Sequence, residues 1–285
     1  MSPGVGYALL SLLAAGVLDV VFARYSGKRP VSGAYLFVIG GVVIAGQSAV
    51  LAIARVPFAW DASTAAWGLT AGAVLLLANA LLVESLARIN VSLGSTIYRL
   101  NTIAVLLFAV VFLHETLTFA KTAGVLLGVI AVVMLYQRGG RGDTDRLVFA
   151  SLWIAIAASL LRAAFGIISK TGLLDGTDPF LFLVYVGVGW TVAAIAYGFV
   201  RRRPPGSTSA VLRYGIVCGT LVCLVASFLL LGLRSGEASV VIPIANMSFV
   251  VALLTSAALG MERITRHKVF AVGCAAVAIG LLTSA

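Results

Sequence analysis

The sequence predicts an all-α integral membrane protein with ten transmembrane helices arranged as two inverted five-helix repeats. Its mean hydropathy is +1.10 and 61% of its residues are hydrophobic. Only 11% are charged, against roughly 25% in ordinary soluble domains. The apolar runs are roughly 20 residues long, which is the length of a helix that crosses a bilayer, and a helix satisfies its own backbone polar groups in lipid.

The stretch that begins at Ser92 recurs without a gap from Ser239 onwards, at an offset of 147 residues. This offset places Glu115 on Glu262, Thr118 on Thr265, Lys121 on Lys268, Gly68 on Gly215 and Gly72 on Gly219. Glu115 and Glu262 are expected to cap helices at short turns. Because each half has an odd number of spans, the second copy must enter the membrane from the opposite side, as in transporters with inverted repeats.

Ten apolar runs define the predicted spans, and only short connections separate them. They cover 4–23, 33–54, 64–86, 91–113, 119–137, 147–169, 179–200, 209–232, 238–260 and 268–284. The predicted organisation is a first five-helix repeat at 1–137, a cytoplasmic linker at 138–146 and a second five-helix repeat at 147–285.

The formal net charge of +10 does not predict nucleic-acid binding, because the basic residues are scattered through short connections and form no basic face. The three cysteines, Cys218, Cys223 and Cys274, lie inside apolar runs without metal-ligand spacing, so no metal or other cofactor is predicted. No nucleophile motif or phosphate-binding loop is found, so an enzyme and a nucleotide-driven pump are not expected.

The basic residues also predict the orientation. Of the 20 Lys and Arg residues, Arg99 and Arg162 lie well inside spans, and only four lie in or at the edge of the connections after the even-numbered spans: Arg55, Lys121, Lys170 and Arg234. The remaining 14 follow the odd-numbered spans. Cytoplasmic loops carry the excess of Lys and Arg, so both termini are expected outside the cytoplasm of an inner (plasma) membrane protein.

The repeated motif Glu-x-[Leu/Ile]-Thr-x-x-Lys, at Glu115 and at Glu262, precedes the last helix of each half. With the five-helix halves, it resembles the drug/metabolite transporter superfamily, EamA type. The resemblance implies a secondary transporter in which helices 1–4 and 6–9 enclose the substrate path and helices 5 and 10 are peripheral. Asp19 is similar in position to the first-helix acid that binds protons and cationic drugs in the small multidrug resistance branch. The predicted orientation departs from the usual one of ten-helix relatives, and arginines inside spans 4 and 6 are not a general family feature.

Asp19, Arg99 and Arg162 are the charges inside predicted spans that carry the most information. A charge at mid-membrane costs at least about 2.5 kcal/mol, so it faces protein or water, usually with a partner. Arg99 lies roughly 12 Å along span 4. The three side chains either neutralise one another and hold the halves together, or handle substrate or protons directly. Two arginines against one acid favour a substrate with a carboxylate or phosphate, which guanidinium binds through paired hydrogen bonds.

Weaker candidates for lining the substrate path are polar or aromatic residues within spans. They are Asn246, which the repeat places opposite Arg99, and Gln47, Asn79, Tyr98, Asn101 and Trp190. Gly124 and Gly128 form a small-residue face on span 5, for which packing within the chain is the default and dimerisation an alternative. The sequence is compatible with a monomer or a homodimer.

The function predicted from these residues is a secondary active transporter that moves a small polar metabolite, such as an amino acid or another organic anion, by alternating access. The alternative is a flippase for a lipid-linked phosphate or sugar, in which the arginines hold the phosphate while the tails stay in lipid. Asp19 is the candidate for proton coupling, with exchange or facilitated diffusion as alternatives. The sequence does not identify the substrate or the direction of transport.

Overall fold

A computed structural model describes residues 2–26, 32–55, 58, 60–86, 98, 100–134, 145–201, 208–260 and 265–284. This part of the chain contains helices and no strand. The helices are α1 (Pro3–Ser26), α2 (Gly33–Ile53), α3 (Ala62–Leu86), α4 (Asn101–Leu113), α5 (Phe119–Met134), α6 (Asp145–Leu174), α7 (Pro179–Arg201), α8 (Thr208–Ser235), α9 (Ala238–Asn246), α10 (Phe249–Ala258) and α11 (Arg266–Thr283).

The described helices give the ten predicted spans, with α9 and α10 together forming the ninth. Eight segments are long and apolar enough to cross a membrane, among them Ala238–Ala258. The other two, α4 and α5, are apolar but shorter. Most of the predicted start of span 4, residues 91–97 and Arg99, lies outside the described residues.

Contacts between helix ends define two faces of the bundle. On the face that carries the start of α1, which we call the Pro3 face, Gly4 packs against the backbone of Gly232 and Gly236 at the end of α8. On the same face, the Trp67 indole N–H near the start of α3 donates to Asp175 Oδ2 after α6, at 2.7 Å. On the opposite face, Gly33 at the start of α2 lies against Gly198 near the end of α7. Successive spans therefore run in alternating directions.

Close packing between the halves follows the repeat that the sequence contains. A Cβ on Gly72 of α3 would lie 2.2 Å from the Val186 carbonyl oxygen of α7. Its counterpart 147 residues on, Gly219 of α8, faces Val42 of α2 in the same way, with a Cβ at 2.6 Å from the Val42 Cβ. Contacts between α3 and α7 and between α8 and α2 are therefore equivalent, as two inverted repeats related by a two-fold axis require.

The ninth span is not the continuous helix that the sequence predicted. Helix α9 ends at Asn246, and α10 begins at Phe249. Between them the backbone N–H of Met247 donates to Ile244 O at 3.0 Å, and that of Ser248 to Ala245 O at 3.4 Å. The fourth span has a turn at the equivalent place, since Leu100, which corresponds to Met247, precedes the first residue of α4.

The last span of each half lies at the periphery, and these two helices pack on each other. A Cβ on Gly124 of α5 would lie 2.7 Å from Leu282 Cγ of α11. The small face of span 5 therefore serves packing within the chain. The outer surface of the bundle is apolar, with Leu107, Leu126 and Phe270 all exposed, as a helical protein in contact with lipid tails requires.

Candidate functional site

A cavity of about 260 Å³ lies in the middle of the bundle, between the two halves. Its described lining comes from α1–α4 and α6–α9, with Tyr98 before α4 and Ser248 after α9, and includes no residue of α5 or α11. Most lining side chains are apolar, such as Leu75, Phe165 and Leu229, and a smaller polar set stands among them. A mostly apolar cavity with a few placed polar groups is the usual form of a small-molecule site.

Asp19 brings a carboxyl group to this cavity from the last third of α1. The Ser248 hydroxyl, in the break of the ninth span, donates to Asp19 Oδ2 at 3.3 Å. Gly16, one turn before Asp19, allows this approach, because a Cβ there would lie 2.4 Å from Val251 Cβ and 2.8 Å from the Ser248 carbonyl oxygen. The absence of a side chain at residue 16 thus lets α1 lie directly on the helix break.

Arg162 brings a guanidinium group to the same cavity from the middle of α6. Its Cζ lies 5.4 Å from the ring centroid of Phe165, one turn further along the helix. An arginine over an aromatic face is stabilised by the ring quadrupole and keeps its N–H groups free to bind elsewhere. Within the described part of the chain, no carboxylate lies within 4.0 Å of Arg162.

The two breaks in spans 4 and 9 meet at the cavity wall. The Asn246 side-chain amide, at the end of α9, donates to Asn101 Oδ1 at 2.8 Å and to Thr102 Oγ1 at 3.1 Å. Asn101 and Thr102 are the first two residues of α4. A direct link between side chains of the two halves therefore crosses the bundle at the depth of the helix breaks.

Three further predicted candidates also lie on the cavity wall. Asn79 of α3 donates to the Leu75 carbonyl of its own helix at 2.8 Å, and Tyr98 lies just before α4. The Trp190 indole N–H of α7 donates to the Leu36 carbonyl oxygen of α2 at 2.9 Å, so the ring is fixed across the interface between the halves. With Asp19, Arg162, Asn101 and Asn246, seven of the nine predicted site residues surround this one cavity.

Gln47 does not line the cavity. Its side-chain amide is fully buried between α2 and α8, where it donates to Cys223 Sγ at 3.0 Å and Ser227 Oγ at 2.7 Å. The physical reason is the side of α2 on which Gln47 lies. Its partners Cys223 and Ser227 are at the level where α8 lines the cavity, but Gln47 faces the contact between α2 and α8 and not the cavity. Arg99, the ninth candidate, lies outside the described residues.

Two polar lining residues were not among the candidates predicted from the sequence. Ser248 corresponds to Asn101, a predicted site residue, by the 147-residue offset. The repeat could therefore have been used to predict that Ser248 lies at the site. Ser11 of α1 lines the cavity while its hydroxyl donates to the Val225 carbonyl of α8 at 3.0 Å. A serine within an apolar helix carries no such signal, because its hydroxyl can equally bond within its own helix.

The fold and the cavity together define a class of protein: a multi-pass membrane protein of two inverted five-helix repeats with a polar centre at their interface. The model of the EamA-like transporter family matches residues 2–137 and again residues 149–284. The chain therefore belongs to the EamA-like transporter family, and it is a membrane transporter of the drug/metabolite type. The family is one of transporters.

The comparison with solved structures supports the same fold. One of them, described only as "Crystal structure of protein", superposes with a TM-score of 0.82 over 99% of this chain and 96% of its own. The two sequences are 13% identical, so the likeness concerns the fold alone. No curated protein sequence matches the chain.

Proposed function

We propose that this protein is a secondary active transporter for a small metabolite that carries a carboxylate and an apolar part, working by alternating access. The observation that carries the proposal is the central cavity between inverted repeats, where Asp19 and Arg162 stand among apolar side chains. Charges at this depth are costly unless they serve a partner or a path. A site at the interface of the repeats is reached from either side when one half rocks against the other.

The chemistry of the cavity favours an anionic head group on a partly apolar molecule. The Arg162 guanidinium offers a planar fork of N–H donors, which fits a carboxylate through two parallel hydrogen bonds. Leu18, Leu75 and Phe165 supply apolar surface beside it, and apolar lining stabilises the remainder of such a ligand. Asp19 is then able to receive an ammonium group, so an amino acid is within the proposed substrate class.

The flippase alternative uses the same guanidinium for a phosphate, with the lipid tails outside the bundle. The cavity lining supports the small solute more strongly, because it draws on every span except the fifth and tenth and a volume of about 260 Å³ suits a small solute. Assaying soluble carboxylates and fluorescent lipid-linked phosphates in the same proteoliposomes separates the two functions.

Replacing Arg162 by Ala is expected to lower carboxylate transport by about 10–100-fold, since a hydrogen bond to a charged group contributes roughly 1.5–3 kcal/mol. Arg162→Lys should lose most of this activity too, because lysine keeps the charge but not the planar fork. Uptake into proteoliposomes measures the effect, after a ligand-stabilisation screen of amino acids and organic acids has chosen the substrate.

The control is Arg234→Ala, which removes an exposed arginine at the end of α8 and should leave uptake unchanged. Full activity of Arg162→Ala would refute a role in substrate binding. An inactive Arg162→Ala protein that also melts well below the wild type would instead favour a purely structural role.

We infer further that Asp19 couples transport to protons. Burial raises the proton affinity of a carboxyl group and a nearby cation lowers it. Asp19 is the acid among the described lining residues, and a carboxyl group that exchanges a proton at each face of the membrane would link transport to the proton gradient. A permanently ionised Asp19 would instead leave an exchanger or a facilitated carrier.

An imposed pH gradient should therefore drive substrate accumulation into liposomes that contain the wild-type protein. Asp19→Asn should lose this drive and keep exchange, whereas Ser248→Ala, which removes only the hydroxyl partner of the carboxylate, should keep the drive. If wild type and Asp19→Asn transport equally and ignore the gradient, proton coupling is excluded.

We also propose that the Pro3 face is outside the cytoplasm of the inner membrane. Fourteen basic residues follow the odd-numbered spans, at the opposite face. Of the four on the Pro3 side, Lys170 is bonded to backbone carbonyls and Lys121 is 1% exposed. Arg55 and Arg234 are exposed there, and the excess of Lys and Arg after the odd-numbered spans is the asymmetry that the positive-inside rule uses.

A reporter protein fused after Ala285 should consequently be silent if it functions only in the cytoplasm, and a periplasmic reporter at the same site should be active. A cytoplasmic reporter that is fully active in intact cells would reverse the orientation. The control is the same pair of reporters fused in the 138–146 linker, which should give the opposite result.

A further inference from the structure

The motif at Glu115 makes a contact between the halves that its sequence position does not suggest. Glu115 follows α4, in the first half, yet its carboxylate binds the start of α9, in the second half. Oε1 accepts the Ala238 N–H at 2.7 Å, and Oε2 accepts the Ser239 N–H at 2.9 Å together with the Ser239 hydroxyl. A carboxylate at this place satisfies free N–H groups of the helix and complements its dipole. Glu115 thus caps a helix of the opposite repeat.

A second contact of the same kind lies beside it. Lys121, in the first turn of α5, is almost fully buried, and its ammonium group pairs with the Glu237 carboxylate, at the N-cap of α9. The same ammonium donates to the Thr116 carbonyl oxygen at 2.7 Å. A buried cation without such partners would be costly. Residues that flank one connection of the first half therefore hold the start of α9 through two charged groups.

The other end of α9 is also held by the first half, through the hydrogen bonds of Asn246 to Asn101 and Thr102. Helix α9 belongs to the second half by sequence, yet both of its ends are tied to α4, α5 and the connection between them. At Met247 the chain turns out of the helix, so α9 is a separate rigid piece nine residues long.

This piece closes the Pro3 side of the cavity. Ile242, Ala245 and Asn246 of α9 line the cavity, and the preceding residues, 238–241, are all buried. Around them Val241 packs on Gly232 and Gly236 of the α8 end, and Gly4 of α1 packs there too. Between Gly4 and Ser11, the first lining residue of α1, about 10 Å of packed helix separates the cavity from this face.

A small void and a proline lie at the break after α9. A void of about 10 Å³ lies behind the break, between Pro243 and Met247 on one side and Gly128 and Val132 of α5 on the other. Pro243 has no backbone N–H, so the helix there has one fewer internal hydrogen bond to resist bending. Opening the Pro3 side then requires α9 to leave the carboxylate of Glu115 and the ammonium of Lys121.

We propose that Glu115 and Lys121 form a latch between the repeats that holds α9 and keeps the cavity closed at the Pro3 face. The latch rests on the proposed alternating-access function. It extends that function, because it assigns a positioning role to two residues that contact the start of α9. Asp19 and Arg162 lie at the cavity, towards the other end of α9. Releasing the latch exposes the cavity to the Pro3 side, and re-forming it exposes the cavity to the opposite side only.

The test uses the full chain in proteoliposomes, in a background with Cys218→Ala, Cys223→Ser and Cys274→Ala. Ser11→Cys then reports access to the cavity through its rate of reaction with a charged, membrane-impermeant methanethiosulfonate reagent. The reagent is applied separately at each face. With the latch intact, Ser11→Cys should react faster from the face opposite Pro3.

Glu115→Gln keeps the size of the side chain and removes the charge that caps α9. It should raise the reaction rate from the Pro3 face about tenfold and lower the rate from the opposite face. Lys121→Met, which removes the buried ammonium group, should shift both rates in the same directions. The second variant keeps the test decisive if the first does not fold, and melting of each purified variant checks folding.

Asp178→Asn is the matched control. Asp178 Oδ1 accepts the N–H groups of Phe180 at 2.9 Å and Leu181 at 3.0 Å, so it also caps a helix at the Pro3 face, but within one half. Its neutralisation should leave both labelling rates unchanged. If Asp178→Asn changes the two labelling rates as much as the latch variants do, then neutralising any capping carboxylate loosens this face. The latch would then be rejected.

Unchanged rates in both latch variants would overturn the proposal, and so would faster labelling from both faces at once, which indicates general loosening. The labelling needs no transported substrate. The latch variants could raise the labelling rate from the Pro3 face and lower it from the opposite face in a protein that transports no candidate solute. That result would reject the transport proposal and support the latch. Normal transport with unchanged labelling would reject the latch alone.

Discussion

Every polar group inside the bilayer needs a partner, and this constraint decides where the two halves of the bundle touch. A backbone or side-chain group that loses water and gains nothing costs several kcal/mol. Some polar side chains bond within their own helix, as Asn79 does, and others bond where the repeats face each other. Asn246 reaches Asn101, Trp190 reaches Leu36 and Gln47 reaches Cys223, each across the boundary between the halves. The same contacts that satisfy polar groups therefore align the walls of the cavity.

Apolar packing alone would not select this alignment, because lipid tails solvate leucine as well as another helix does. Close approach comes from glycines instead, as at Gly16, Gly72 and Gly219. Gly16 is the most consequential, since it lets α1 touch the break in the ninth span and so brings Asp19 to Ser248. The position of a functional carboxylate thus depends on a residue that has no side chain.

The repeat makes the backbone symmetric, but the side chains at equivalent positions differ. When the first helices of the two repeats are aligned at an offset of 143 residues, Asp19 corresponds to Arg162. Both residues line the cavity. One repeat thus supplies an acid where the other supplies a base. Two residues of the same charge would repel each other at the axis. An acid and a base instead give the site a negative and a positive group, which suits a molecule with a charge at one end.

Much of the fold followed from residues alone. The ten spans and the alternation of their directions depend on run length and on the repeat, which the sequence displays directly, whereas the peripheral place of spans 5 and 10 was expected from the family resemblance. Seven of nine candidate residues lie at one cavity because a polar side chain inside an apolar span has few other places to go.

The sequence does not show which side of a helix faces the cavity or where the backbone turns out of a helix. Gln47 shares the polarity of the lining residues, but no pattern in the sequence shows that it faces α8 and not the cavity. The break at Met247 was not predicted because Pro243 lies a turn away, and the equivalent turn at Leu100 occurs with Thr96 in place of that proline. The cap that Glu115 provides to α9 joins residues more than a hundred positions apart, which no local pattern encodes.

Alternating access requires the two halves to move against each other around the cavity, and a reversible cross-link between them would prevent that movement. A Cβ at Gly46 of α2 would lie 3.0 Å from Cys223 Sγ of α8, close enough for a disulfide, so Gly46→Cys should bond to the native cysteine on oxidation. Transport should then stop in the cross-linked protein and return on reduction, with the oxidised wild type unaffected. Full transport at complete cross-linking would contradict the account.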